Sequence, residues 1–206
     1  MRFLVKTRLS ASLGFGAAVL AGALVSSPAF ATVFNIPEFV PEGKSAFGLE
    51  PVLTLSDGAG IGVNARYTQG LSDLIDASLI LGTGSGPRRF RVGGNLVFDF
   101  VPDVQNQPGI GIAVQPIYYR LPNAGMLEVT GIPYIHKAFN TGGATVDPFV
   151  AFPIGFDFSD GNYNVTSTLA LGANFKETEH VTYTLEVGVE MNHSESYISG
   201  GVTYYP

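Results

Sequence analysis

Apolar and polar residues alternate along most of this chain with a period of two. The clearest run spans 182–192, where Tyr183, Leu185, Val187, Val189 and Met191 fall on one face and threonines and glutamates on the other. Because side chains alternate across a β-strand, such a run separates into two faces. It therefore predicts a strand with one apolar and one polar side.

The same alternation recurs from Ala46 to the end of the chain, broken by clusters of Gly, Pro, Asn and Asp that are typical of turns. No segment shows a helical period. Strands are predicted near 46–55, 61–69, 74–82, 89–100, 109–120, 127–138, 146–158, 163–175, 181–191 and 196–205. The pattern predicts an all-β antiparallel fold of about ten strands, within a range of eight to twelve, joined by short turns.

The alternation does not by itself say which face points inward, because soluble and membrane barrels share the same period. Charged residues make up only 14% of the chain, and the polar face is mostly Gly, Thr, Ser and Asn. Such residues suit a narrow barrel interior, and strands of about ten residues suit a tilted bilayer crossing. We therefore predict a closed transmembrane β-barrel over 46–206, with its apolar face toward lipid. Aromatic girdles are expected from Tyr67, Phe100, Tyr118, Phe156, Phe158, Phe175 and Tyr204.

The first residues have the form of a secretory signal. Three basic residues in the first eight precede an uncharged, mostly apolar stretch from 11 to 25, and Ala29-Phe30-Ala31 follows. This arrangement predicts a cleaved signal peptide over 1–31 and export from the cytoplasm. The segment 32–45 is broken by Pro37 and Pro41, and is expected to be either a periplasmic lead-in or a short plug.

The end of the chain carries a resemblance to a known class of proteins. The segment 199–206 contains a polar residue, then glycines, then spaced aromatics, and so resembles the C-terminal assembly signal of bacterial outer-membrane β-barrel proteins. Gly201, Tyr204 and Tyr205 carry the likeness, and Tyr205 stands in for a terminal aromatic because the chain ends in Pro206. The resemblance implies a Gram-negative outer-membrane location, surrounding outer-membrane lipid, and the barrel-assembly machinery as a partner.

Composition narrows the function classes. The chain has no cysteine, which excludes thiol nucleophiles and cysteine-ligated metals. Beyond the expected cleavage site, eight basic residues face seventeen acidic ones, a formal charge of −9, and this makes nucleic acid an unfavourable partner. No cofactor and no metal is implied by the sequence. Small ions or solutes are the ligands that such a barrel would accept.

The predicted inward face collects charged residues of both signs. In a barrel of eight to ten strands the interior is mostly filled by side chains, so these charges are expected to pair across the lumen, with Arg66 and Arg91 as the deep cations. A filled lumen implies a structural role, and a residual path implies a narrow pore that prefers cations. The predicted lumen charge network is Glu50, Arg66, Asp76, Arg89, Arg91, Asp99, Glu128, Glu186 and Glu190.

Catalysis is not expected, although two other functions stay open. His193-Ser194-Glu195-Ser196 loosely resembles the site of lipid A deacylase barrels, but its hydroxyls do not share a strand face with the histidine. Asp147 and Asp157 are interpreted as charges at strand ends. The first alternative function is a barrel enzyme that acts on lipid A or on a peptide. The second is a soluble secreted barrel that binds a small apolar ligand.

Overall fold

The computed structural model describes residues 39–56, 59–85, 90–120, 125–159 and 161–206. The predicted signal peptide, residues 32–38 of the segment 32–45 and Arg89 lie outside these ranges. The described residues form the following strands: β1 Ser45–Thr54, β2 Gly60–Ser72, β3 Ile75–Gly84, β4 Phe90–Val101, β5 Gly109–Arg120, β6 Gly125–His136, β7 Phe139–Thr141, β8 Ala144–Ala151, β9 Ile154–Ser159, β10 Asn162–Lys176, β11 Val181–Asn192 and β12 Tyr197–Tyr204.

The strands close into a barrel in which neighbours in sequence are neighbours in the wall. Each long strand pairs antiparallel with the next, and β12 returns to pair with β1. β8 and β9 share one place in the wall between β6 and β10. The barrel therefore has ten strand positions, as the sequence predicts, and the chain ends of the described region meet at one mouth.

The predicted strand 146–158 is divided because of a proline. Pro153 has no N–H to donate to the ladder, and it separates β8 from β9 together with Phe152. The ladder keeps the same register on both sides of the break, since Tyr134 faces Ala151 and Gly131 faces Ile154. The division is a local loss of hydrogen bonding within one strand.

Two connections differ from the sequence prediction. The connection between the predicted strands 61–69 and 74–82 is shorter in the structure, because β2 continues to Ser72 and β3 begins at Ile75. β7 and the start of β8 form a small hairpin that extends beyond the wall, at a turn where Gly142 and Gly143 have φ values of 58° and 123°. Residues with a β-carbon rarely adopt such values, which explains the two glycines.

The apolar face points outward. One large apolar side chain from each of the ten strand positions is between 43% and 67% exposed: Leu49, Ile61, Leu79, Leu96, Ile110, Leu127, Phe156, Leu171, Leu185 and Val202. All seven predicted girdle aromatics are exposed as well. No helix among the described residues is long and apolar enough to cross a membrane. The outer surface is thus a continuous apolar band of the kind that lipid covers.

Candidate functional site: the barrel lumen

The polar face of the strands lines the lumen. We call the mouth that holds Phe39 and Pro206 the proximal mouth, and the other the distal mouth. Seven residues of the predicted charge network are buried in the interior, at no more than 7% exposure: Glu50, Arg66, Asp76, Arg91, Asp99, Glu128 and Glu186. Glu190 is half-buried near the distal end of β11, and Arg89 lies outside the described residues. The role of these residues as one network stays a prediction.

An ion pair occupies the middle of the lumen. The guanidinium of Arg66 donates from Nε to Oε1 of Glu50 at 2.6 Å and from Nη2 to Oε2 at 3.2 Å. Both side chains are almost completely buried, at 3% and 1% exposure. A two-point contact of this kind fixes the geometry of both groups. The pair therefore fills the bore between β1 and β2.

Arg91 lies closer to the distal mouth than the sequence analysis expected. It is the second residue of β4, and its register partners are Gly82 and Tyr119 near the ends of β3 and β5. Its Nε donates to Oδ1 of Asn64. A β-carbon at Gly82 would lie 2.3 Å from this nitrogen, so glycine makes room for the arginine.

A second buried carboxylate group lies near the distal end. Glu128 and Asp157 are opposite each other on β6 and β9, and both are 3% exposed. Hydroxyls of Tyr119 and Thr166 donate to Glu128, and the backbone N–H of Asn164 donates to Asp157 at 2.9 Å. These donors provide hydrogen bonds to both carboxyl groups where water is excluded.

Asp157 was not among the predicted lumen residues, although it does lie near the end of its strand. Phe156 and Phe158 on either side of it face outward, and this alternation was a sequence signal that Asp157 faces inward. Glu195 was also missed, because it lies between the predicted strands 181–191 and 196–205. It is completely buried and accepts a hydrogen bond from Thr54 Oγ1 at 3.2 Å.

Other parts of the lumen are filled by larger side chains than the small neutral ones that the sequence analysis expected. The hydroxyl of Tyr197 donates to Oε1 of Glu186. Closer to the proximal mouth the interior contains an apolar cluster, against which Phe39 packs: Val97, Ala113, Ile132, Tyr134, Phe149, Ala151 and Ala170. The lumen therefore contains charged groups, aromatic rings and aliphatic side chains.

The segment Phe39–Lys44 lies at the proximal mouth. The N–H of Val40 donates to Oδ2 of Asp76 at 3.1 Å, and both residues are completely buried. Gly43 and Lys44 form backbone hydrogen bonds with Gly70. A β-carbon at Gly70 would lie 2.1 Å from the carbonyl oxygen of Val40, so this close approach requires glycine.

The structure can be compared with known proteins. No family model matches the chain, and no curated protein matches it in sequence. The fold resembles the crystal structure of the COG4313 outer membrane channel from Pseudomonas putida F1, with a TM-score of 0.54 and 10% identity over 85% of this chain and 100% of that one. A structure reported under de novo design of transmembrane β-barrels aligns with a TM-score of 0.38 and 11% identity, over 82% of this chain and 99% of the designed one.

The chain thus shares the closed β-barrel fold of that outer membrane channel. At this level of sequence identity the likeness concerns architecture alone, since one fold can serve many functions. It agrees with the apolar outer band and supports a membrane-embedded barrel.

The residues of the predicted assembly signal take different positions around the last strand. Gly201 faces the interior and is half-buried, while Tyr204 ends β12 on the outer surface at 50% exposure. Tyr205 follows the strand, and its N–H donates to the carbonyl of His180 at 2.9 Å. Recognition by the assembly machinery stays a prediction.

The residues that resembled a deacylase site are engaged in other contacts. His193 is exposed with a φ of 43°. The hydroxyl of Ser194 donates to the carbonyl of Ser167 at 2.6 Å. Glu195 accepts the hydrogen bond of Thr54. A nucleophile must be within reach of its base, and these contacts do not give that arrangement.

Proposed function

We propose that the protein is a structural component of the bacterial outer membrane, a barrel whose lumen is closed by its own side chains. One observation carries this proposal. Residues at several depths of the lumen have almost no accessible surface: Glu50 1%, Gln115 1%, Glu186 1%, Ile80 1% and Arg91 2%. Side chains that line a water-filled channel must be accessible to water, and these are not.

The outer surface supports the membrane location. Apolar side chains from all ten strand positions face outward, and β1 to β6 and β10 to β12 are eight to fifteen residues long. A strand of about 9–11 residues crosses the hydrocarbon core on a tilt. A soluble barrel that exposed this band to water would aggregate, because large exposed apolar patches associate.

We propose that Phe39–Lys44 acts as a short plug of the proximal mouth, one of the two roles expected for the segment 32–45. Phe39 packs on the apolar interior cluster, and Val40 is bonded to Asp76 inside the mouth. A mobile tail would not have a completely buried residue in this position. The plug adds a second closure to the filled middle of the lumen.

Planar-bilayer recording of the refolded protein tests the closed state. We expect the wild type to show no steady conductance, and the double variant Glu50→Ala/Arg66→Ala to show small channel events because the middle of the bore is emptied. A matched control is Glu177→Ala/Lys176→Ala, which changes one acid and one base outside the middle of the lumen. Steady conductance of the wild type would contradict the proposal.

The second candidate function is a narrow cation-preferring pore. It is favoured by the acidic interior, where Asp76, Asp99, Glu128 and Asp157 are all buried, since negative lumen charge favours cations. A wild-type conductance that falls when potassium is replaced by a large cation, with reversal potentials that favour cations, would support this function over the closed barrel.

We propose that the protein is not an enzyme, and that its partners are outer-membrane lipid and, during assembly, the barrel-assembly machinery. Mass spectra of lipid A from cells with and without the gene should be identical. Resistance of the protein to carbonate extraction from outer membranes, together with heat-modifiable mobility in gels, would exclude the soluble ligand-binding alternative. Loss of an acyl chain from lipid A in the expressing cells would show that the enzyme alternative is right.

A further inference from the structure

We propose that Asp103, His136 and Asp147 form a binding site for a divalent transition-metal ion such as Zn²⁺ at the proximal mouth. One ligand atom of each side chain lies within 4.8 Å of the other two. The three residues come from separate elements: Asp103 from the β4–β5 connection, His136 from the end of β6 and Asp147 from β8. A metal at this point would join three neighbouring parts of the wall.

The geometry of the histidine and its neighbour fits coordination. Nδ1 of His136 lies 3.1 Å from both carboxylate oxygens of Asp147. Zinc bonds to nitrogen and oxygen are about 2.0–2.2 Å long, so two ligand atoms on one ion are separated by about 3.0–3.5 Å at tetrahedral or octahedral angles. His136 and Asp147 already have this separation. Asp103, in the β4–β5 connection, has a ligand atom within 4.8 Å of the other two and would have to exchange its contact with Lys137 for the metal.

A buried imidazole nitrogen is a second observation in favour of the site. The side chain of His136 is 10% exposed, and its Nε2 is buried without a hydrogen-bond partner among the described residues. Burial of a polar nitrogen without a partner is costly. Nδ1, which faces Asp147, is the ring nitrogen placed to bind the metal, while Nε2 lies toward Gly109.

The local charge also favours a cation. The charge of Asp99 interacts with His136, Asp103 and Asp147. Asp99 is 7% exposed, and its Oδ1 has no hydrogen-bond partner among the described residues. A buried carboxylate of this kind is stabilised by a nearby positive charge. The two carboxylates and the imidazole of the site give the mixed oxygen and nitrogen donor set that first-row divalent ions bind.

Lys137 is the competitor of the metal in this site. Its Nζ donates to Oδ1 of Asp103, and the N–H of Ala138 donates to Oδ2 at 2.7 Å. The ammonium thus holds the carboxylate that the metal requires. Removal of the lysine charge should free Asp103 as a ligand and make the site more negative.

The backbone keeps the histidine in place. A β-carbon at Gly109 would lie 2.1 Å from Nε2 of His136 and 2.6 Å from Cδ2. Glycine at this position of β5 therefore leaves the space that the imidazole ring fills. Gly109→Ala would displace the ring but leave all three ligands in the chain. This variant therefore tests the position of the imidazole and not the chemistry of the ligands.

The test is titration of the refolded, tag-free full-length protein with ZnCl₂ by calorimetry, with MgCl₂ as the comparison. We expect one Zn²⁺ per chain and much weaker binding of Mg²⁺, which prefers all-oxygen sites. His136→Gln and Asp147→Asn should each lower the Zn²⁺ affinity at least about tenfold, the loss that removal of even an outer partner of a metal ligand causes. The absorption spectrum of bound Co²⁺ should be lost in the same variants.

The matched control is His180→Gln, at the same mouth, where Nδ1 faces the carbonyl of Tyr205 at 2.7 Å. It should leave the Zn²⁺ affinity unchanged. Lys137→Gln should raise the affinity, and this variant keeps the test valid if a ligand variant does not fold. An affinity that is equal in the wild type and His136→Gln, that is lost in His180→Gln, or that falls in Lys137→Gln would overturn the proposed site.

Discussion

Arg66 and Glu50 form a two-point ion pair inside the barrel, with Nε of the arginine 2.6 Å from Oε1 of the glutamate. Loss of one partner leaves a buried charge without compensation, which costs about 3–5 kcal/mol. We expect Arg66→Met to lower the free energy of unfolding by about this amount, measured by urea unfolding in lipid vesicles.

The double variant Glu50→Met/Arg66→Met is the control for that experiment. It removes both charges and replaces them with side chains of similar length, so it should be more stable than Arg66→Met alone. The single variant Glu50→Met completes the comparison. If the loss of unfolding free energy in the double variant equals the sum of the losses in Arg66→Met and Glu50→Met, the two side chains do not stabilise each other.

Glu186 and Val187 are neighbours in β11 that face opposite sides of the wall. Glu186 is 1% exposed and Val187 is 38% exposed. A charge on the lipid face costs about 2–4 kcal/mol near the bilayer midplane, so Val187→Arg should impair assembly into vesicles. Glu186→Gln keeps an oxygen for the hydroxyl of Tyr197 and should assemble normally. Equal folding yields of the two variants, measured by heat-modifiable mobility, would contradict this orientation of β11.

Arg91 and Arg120 provide a matched pair of arginines near the distal mouth. Arg91 is 2% exposed and donates to Asn64, while Arg120 at the end of β5 is exposed. Arg91→Ala removes a buried side chain and its hydrogen bond, so we expect a lower melting temperature in detergent. Any residual conductance should rise with a stronger cation preference, because the lumen becomes more negative. Arg120→Ala should change neither property. Unchanged melting and conductance in Arg91→Ala would show that Arg91 has no part in closing the lumen.

Asp103 gives a prediction about pH. Burial acts to raise the pKa of this carboxyl, but hydrogen bonds from Lys137 and Ala138 and the Lys137 charge outweigh it and hold the pKa below its ordinary value of 3.8. A carboxyl with a lowered pKa stabilises the folded state above its unfolded pKa, and this contribution is lost as the pH falls through the folded pKa. In metal-free buffer, Asp103→Asn should therefore melt below the wild type at pH 7, and the gap should narrow as the pH falls below 3.8. A gap that is the same at both pH values would contradict the lowered pKa.

The sequence by itself determined the barrel wall. Alternation of side chains along a strand is a local property, so runs such as 182–192 predicted the strand and its two faces. The low content of charged residues and the strand length then predicted that the face with Val187 points outward. The count of ten strand positions was also predicted, because turn residues mark the end of each run. Closure of the sheet followed from the apolar band, since an open edge is not satisfied in lipid.

Only the tertiary structure decided which lumen residues meet. Glu50 and Arg66 could be placed on the inward face, but their pairing depends on the register of β1 against β2, which no local pattern encodes. Asp103, His136 and Asp147 are far apart in sequence and come together only because β4, β6 and β8 end or begin at one mouth. Contacts of this kind depend on how the strands are aligned around the closed barrel, a property of the whole chain and not of any single run.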